Sequence, residues 1–141
     1  MTDIAELRRA ALDMQARREH SQAELRYKLS AKTSAIELID EVLAELAERN
    51  WQSDHRFTEN FVRFRVDKGF GPLKIQTELR QKGVEDSLAN KIIYGDEYDW
   101  CQLATDALAK KFKTGKEDNI KQKRFLLTRG FTYEVINSVV R

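Results

Sequence analysis

Apolar residues recur along this chain at steps of three and four, the spacing that gathers them on one face of an α-helix. Ile4, Leu7, Ala10, Ala11 and Met14 set the pattern and predict a first helix over about residues 3–18. Ser21 then stands three positions before Glu24. In that capping-box spacing the hydroxyl accepts from the third helical amide and the carboxylate returns a bond to the cap. The helix it starts carries Leu25 and Leu29. Ser34 and Glu37 repeat the spacing ahead of Ile36, Ile39, Val42, Leu43 and Leu46, which predict a third helix ending near Asn50.

The same rhythm returns twice. Ser53 or Asp54 caps a helix carrying Phe57, Phe61, Val62 and Arg65 as far as Gly69. Gly71-Pro72 opens the next, because proline at the first helical position gives up no needed amide bond. Leu73, Ile75 and Leu79 carry it to Gly83, Asp86 caps a short helix with Leu88, Ile92 and Ile93, and Gly95 closes the unit. The last unit reads as helices over Asp96 to Thr114 with Trp100, Leu103, Ala104, Ala107 and Leu108, over Asp118 to Arg129 with Ile120, Phe125 and Leu126, and over Thr132 to Arg141. No segment alternates apolar and polar residues long enough to demand a strand. The expected fold is all-α, with three tandem three-helix repeats at residues 1–50, 51–95 and 96–141 forming an elongated, curved stack.

The repetition is visible residue by residue. With Gly83 laid on Gly130, Val84 falls on Phe131, Leu88 on Val135, and Ile92-Ile93 on Val139-Val140. A fainter copy lies upstream, where Glu24-Leu25-Arg26 precedes Leu29 as Glu78-Leu79-Arg80 precedes Gly83. Gly83 and Gly130 follow helix ends, where a left-handed residue closes the turn and a β-carbon would cost about 1 kcal/mol. Stacked helical repeats are usually binding scaffolds, so the pattern directs attention to a partner before a reaction.

Charge sharpens that expectation. The net charge of +2 is unevenly distributed: residues 1–50 carry −2, residues 51–100 carry −1 and residues 101–141 carry +5. The basic third contains Lys110, Lys111, Lys113, Lys116, Lys121, Lys123, Arg124, Arg129 and Arg141, a clustering that favours an anionic partner such as nucleic acid or an acidic protein groove. If equivalent middle helices share one side of the stack, Arg63, Lys74, Arg80 and Lys82 join Lys121, Lys123 and Arg124 in one basic strip for a filament or DNA. Taken singly, each is equally an ordinary solvated cation. At 34% charged residues the chain has the surface of a narrow molecule, and 141 residues with a single cysteine leave no internal disulfide. No apolar run reaches the ~20 residues of a membrane span and no signal peptide is evident, so a soluble cytoplasmic chain is expected.

Candidate chemistry is sparse. Gly69-Phe70-Gly71 lacks the lysine and serine of a phosphate-binding P-loop and follows a helix instead of a strand, so it reads as an inter-helix turn. Phe70 within it either anchors the turn or meets a partner. His20 and His55 have no companion at metal-ligand spacing, and Cys101 reads as a small buried hydrophobe. The carboxylates are scattered over solvated faces. No catalytic constellation, metal or cofactor is expected.

Three ordered motifs resemble those of the RecX family. Gly69-Phe70-Gly71-Pro72-Leu73-Lys74-Ile75, followed by Glu78-Leu79 and Lys82-Gly83, is similar to its central signature. Ala16-Arg17-Arg18-Glu19-His20-Ser21 before Glu24-Leu25-Arg26 resembles its N-terminal motif, and Lys123-Arg124-Phe125-Leu126-Leu127-Thr128-Arg129-Gly130-Phe131 its C-terminal one. The chain departs at Asn50-Trp51-Gln52-Ser53-Asp54, where the family commonly has glycine, an aromatic residue, leucine and aspartate. The resemblance implies a non-enzymatic, monomeric modulator, mainly an inhibitor, of the RecA recombinase. It would act on the RecA–DNA filament in recombination and the SOS response. The alternative is a DNA-binding repeat protein acting mainly through its basic strip.

Overall fold

A computed structural model of the chain describes residues 2–113 and 118–141. Among them are nine helices and no strand: α1 (Ile4–Arg17), α2 (Gln22–Ser30), α3 (Ile36–Glu48), α4 (Asp54–Asp67), α5 (Pro72–Gln81), α6 (Asp86–Ile93), α7 (Trp100–Lys111), α8 (Asn119–Arg129) and α9 (Tyr133–Val139). They form an all-α tandem three-helix repeat. No described helix is long and apolar enough to cross a membrane. The accessible surface is 8963 Å², against about 7,500 Å² expected of a compact monomer of 16.5 kDa, so the molecule is extended.

Local chemistry sets most helix starts. The Ser21 capping box forms in full, and Ser53, Asp118 and Thr132 each accept from an amide of the following first turn. Three expectations are corrected. The cap of α3 is Ala35 without a side-chain bond, because its amide is drawn to Thr33 Oγ1 at 3.1 Å and the chain enters the helix one residue beyond Ser34. Asp86 is the first residue of α6 and the cap position belongs to Glu85, which makes no side-chain bond. Helix α7 starts at Trp100 because Asp99 caps it by accepting from the Gln102 amide; Thr114, expected at its far end, lies outside the described residues, as does Lys116.

Among the described residues three glycines and one asparagine adopt the left-handed conformation: Gly69 (φ 88°), Gly83 (φ 80°), Gly130 (φ 96°) and Asn50 (φ 58°). Each follows a helix end, and Gly130 directly caps α8. Cys101 is half-buried on α7.

The buried apolar residues fall into two clusters. Leu7, Ala11, Leu25, Leu29, Ile39, Val42, Leu43 and Leu46 form one inside α1–α3. The other runs without a break through α4–α9, from Phe57 and Val62 through Ile75, Leu79 and Ile93 to Trp100, Leu126, Phe131 and Ile136. Trp100 ties this second core together: its indole N–H donates to the Ile93 carbonyl at 2.9 Å and its ring meets Phe131 edge-on at 6.4 Å. The first unit therefore keeps its own core, while the later two share theirs.

Candidate binding surface

The middle helices of the three units are joined end to end. At one joint the C-terminus of α8 meets the N-terminus of α5: the Gly71 amide donates to the Arg129 carbonyl at 2.8 Å and the Leu73 amide to the Gly130 carbonyl at 2.9 Å. Unpaired amides at a helix start thus meet unpaired carbonyls at a helix end, satisfying both and aligning opposite ends of two helix dipoles. The backbones approach so closely that a β-carbon on Gly71 would lie 2.6 Å from the Gly130 carbonyl carbon, and one on Gly130 would lie 2.5 Å from the Lys74 β-carbon.

The second joint repeats the plan between α5 and α2. There the Ser21 hydroxyl donates to the Lys82 carbonyl at 2.7 Å, and a β-carbon on Gly83 would fall 2.3 Å from that of Ala23. A polar cluster surrounds the contact. Buried Gln52 donates to the His20 carbonyl at 3.2 Å and to Asp54 Oδ1 at 2.9 Å, and Asp54 accepts the Gln22 amide at 2.8 Å. Gln52, the family departure, therefore replaces an apolar contact with hydrogen bonds across the joint. Arg56 pairs with Glu19 at 2.6 Å.

Glu24 and His20 in this cluster are shifted from their ordinary values. Burial opposes the charge of Glu24, yet the Arg18 guanidinium, the Ser21 amide and the Lys82 ammonium outweigh it and hold the carboxyl at about 2, below its ordinary 4.5. His20 is pushed below its usual value of 6.5 by burial and then by the positive charge of Arg18. Its Nε2 lies 3.1 Å from the Lys28 ammonium, so the neutral ring accepts there.

The seven cations singled out in the sequence separate by role. Arg80 turns toward α6 and grips both oxygens of Asp86, at 3.2 and 3.0 Å. Lys82 spans the joint to Glu24 at 3.4 Å and lies 5.6 Å from the Phe61 ring. Arg63 reaches Glu97 at 3.7 Å. Lys74 flanks the α8–α5 joint, 5.1 Å from the Phe70 ring. On α8 the amide of Lys121 donates to Asp118 at 2.8 Å, while Lys123 and Arg124 are exposed and unpaired among the described residues. One turn separates them from exposed Ile120 (69%) and Leu127 (45%), giving α8 a mixed apolar and cationic outer face. The structure thus brings Lys123 and Arg124 together in solvent and commits Arg80 and Lys82 to internal pairs.

Phe70 serves packing. Its ring lies against the core of α4–α9, with the Arg65 guanidinium 3.9 Å and the Arg129 guanidinium 5.0 Å from its centroid. Arg65 is fixed in turn by two bonds of 2.8 Å to Glu78. Among the described residues no group of three or more His, Cys, Asp or Glu side chains is placed to hold a metal ion. The roles of Gln52, Asp54 and Arg129 across the joints left no local signature, since His20, Gln22 and Gly71, which they meet there, are far from them in sequence.

Comparisons with known proteins agree with this architecture. Residues 53–92 match the family model for the second three-helix domain of RecX, and residues 97–140 match that for the third. A regulatory protein RecX of Chromohalobacter salexigens is 41% identical over 138 residues, covering 96% of this chain and 91% of its own length. One from Legionella pneumophila is 38% identical, with 94% and 91% covered. The crystal structure of RecX from Lactobacillus salivarius superposes with a TM-score of 0.82 at 25% identity, covering 97% of this chain and 94% of that one. End-to-end helix joints, two matched repeat domains and relatives aligned over nearly the full length lead to one conclusion, that this chain belongs to the RecX family.

Proposed function

We propose that the chain is a non-enzymatic regulator of the RecA recombinase that binds the RecA–DNA filament and mainly inhibits it. It limits filament growth, ATP hydrolysis and strand exchange in recombination and the SOS response. Membership of a family of regulatory proteins supports the reading. The observation that carries it is the pair of matching joints, Arg129-Gly130 on Gly71–Leu73 and Lys82-Gly83 on Ser21–Ala23, which hold successive units in a repeated relationship. A scaffold with recurring faces suits a partner that is itself a repeating polymer, because each later contact forms at high effective concentration. Inhibition requires that the chain bind the filament with a different affinity from free subunits.

On this reading the chain acts as a cytoplasmic monomer of three units, residues 1–50, 51–95 and 96–141, and the outer face of α8 with Lys74 supplies contacts. The test is the ATPase activity of RecA on single-stranded DNA at rising ratios of the chain. Progressive inhibition is expected; unchanged ATPase and strand exchange at saturating chain would overturn the proposal. A second reading, direct DNA binding through the basic strip, is favoured by exposed Lys123 and Arg124. It predicts tight, steeply salt-dependent binding to bare DNA without preference for the filament.

A further inference from the structure

The strongest unassigned feature is a cavity of about 220 Å³ between the α4–α5 turn and helices α7 and α8. Four cations line it: Lys68 from the end of α4, Lys110 and Lys111 from the last turn of α7, and Arg129 from the end of α8. Phe125 and Gly69 lie beside them, and no described carboxylate does. None of the four belongs to the strip of seven. The negative end of the α7 dipole favours Lys110 and Lys111 individually, but it does not explain why Lys68 and Arg129 come from other elements to the same opening.

Arg129 is the anchor. Its guanidinium carbon is 5.0 Å from the Phe70 centroid and 5.2 Å from that of Phe125, and one N–H donates to the Lys68 carbonyl at 3.2 Å. An arginine offers five N–H donors, so a rigidly held fork retains donors for a ligand. Among the described residues no acid neutralises it. Phe125 is itself fixed edge-on to Phe112 at 5.6 Å. Four like charges around one cavity repel one another, and an anion relieves that repulsion.

We propose that this cavity is a phosphate site that holds the backbone of single-stranded nucleic acid. A planar guanidinium matches a phosphodiester, flanking lysines suit the neighbouring phosphates, and an aromatic face among cations is the arrangement that receives an unpaired base or its sugar. An acidic peptide would use the charges and leave the aromatic wall without a role. The proposal concerns the isolated chain and stands apart from the RecA reading.

The test uses the full chain without RecA. Binding of a fluorescent oligothymidylate is measured from low to moderate salt for the wild type, K110Q/K111Q, R129K and, as a control at exposed α8 residues outside the cavity lining, K123Q/R124Q. Lys110 and Lys111 are exposed, so the first variant keeps its fold. If both lysines contact phosphates, the slope of log K against log salt falls by about 1.4 in K110Q/K111Q. R129K keeps the charge and loses the fork, and its affinity drops severalfold. Competition by inorganic phosphate at millimolar concentration, weakened in the same variants, supports the site as a phosphate binder. Unchanged affinity and slope in K110Q/K111Q would overturn the proposal, as would loss confined to K123Q/R124Q. Binding of polyglutamate that depends on Lys110 and Lys111, with oligothymidylate binding indifferent to them, would also sink it. None of these outcomes alters what RecA ATPase measurements report.

Discussion

The Ser21 hydroxyl does two jobs at once: it accepts the Glu24 amide at 3.1 Å within its own helix and donates to the Lys82 carbonyl at 2.7 Å in the next unit. One oxygen therefore both starts α2 and fastens it to α5.

The two roles separate by substitution. Ser21→Ala removes both and should cost about 1–2 kcal/mol of stability. Ser21→Asp keeps a good helix cap but cannot donate to a carbonyl, so α2 should persist while the joint loosens. Hydrogen exchange reads the difference: protection of the α2 amides is retained in Ser21→Asp and lost in Ser21→Ala. Equal loss in both would show that the inter-unit bond, absent from both variants, protects α2 and that the cap contributes nothing of its own.

Close approach and backbone angle also come apart. Gly71 has an ordinary φ of −94°, so Gly71→Ala probes contact alone, against backbone 2.6 Å away that cannot yield cheaply. It should destabilise by about 1–3 kcal/mol. Gly83→Ala combines a φ of 80° with the Ala23 β-carbon. Adding Ala23→Gly should restore part of the loss, and thermal melts of the four-member cycle measure it; strict additivity would refute the steric contact.

Acid should weaken the α5–α2 joint in two stages. The folded-state value of His20 lies below 6.5, so the unfolded chain binds the proton more readily, and stability falls as pH drops through about 6.5. Glu24 has a folded value of about 2 against 4.5, so its contribution is present above 4.5 and disappears as pH falls toward 2. With its partners partly in solvent, that loss should be about 2 kcal/mol. Urea melts from pH 7 to 3 check this, and Glu24→Gln should flatten the lower step specifically.

Cores that are unequal in extent predict unequal truncations. Residues 51–141 keep the whole α4–α9 core and should melt cooperatively alone, whereas residues 1–95 would expose the faces that pack on Trp100, Leu126 and Phe131. Circular dichroism should show a cooperative transition for the first fragment and a broad, low one for the second.

Charge reversal should divide the strip. Lys82→Glu opposes Glu24 at the joint and should lower the melting temperature, while Lys123→Glu with Arg124→Glu should leave it unchanged and weaken inhibition of the filament. Full inhibition by the double variant would remove the outer face of α8 from the proposed interface.

These distinctions mark where sequence stops informing. Starts at Ser21, Ser53, Asp118 and Thr132 were legible because a cap acts on amides two or three residues ahead. Ser34 misled because Thr33, its immediate neighbour, competes for the same turn. Gly83 and Gly130 announced left-handed turns through their place after helices, but the neighbours that also demand glycine, Ala23 and Lys74, are 60 and 56 positions away. For the same reason Arg80 and Lys82 looked like free surface charge: Asp86 and Glu24 reach them only once the helices are assembled. Net charge located the basic third, and folding alone collected Lys68 with Lys110, Lys111 and Arg129.

The order of the joints gives the molecule a direction. Each passes from a helix end in a later unit to a helix start in an earlier one, which puts the start of α8 at one extremity of the series and the end of α2 at the other. The two extremities are chemically unlike: at the first the Asp118 carboxylate accepts the Lys121 amide, and at the second the Ser30 hydroxyl and the Lys32 amide donate back to the Tyr27 and Leu29 carbonyls. Turned end for end, the chain would offer a different sequence of charges to the same track. A partner with its own head and tail must therefore receive it in a single orientation.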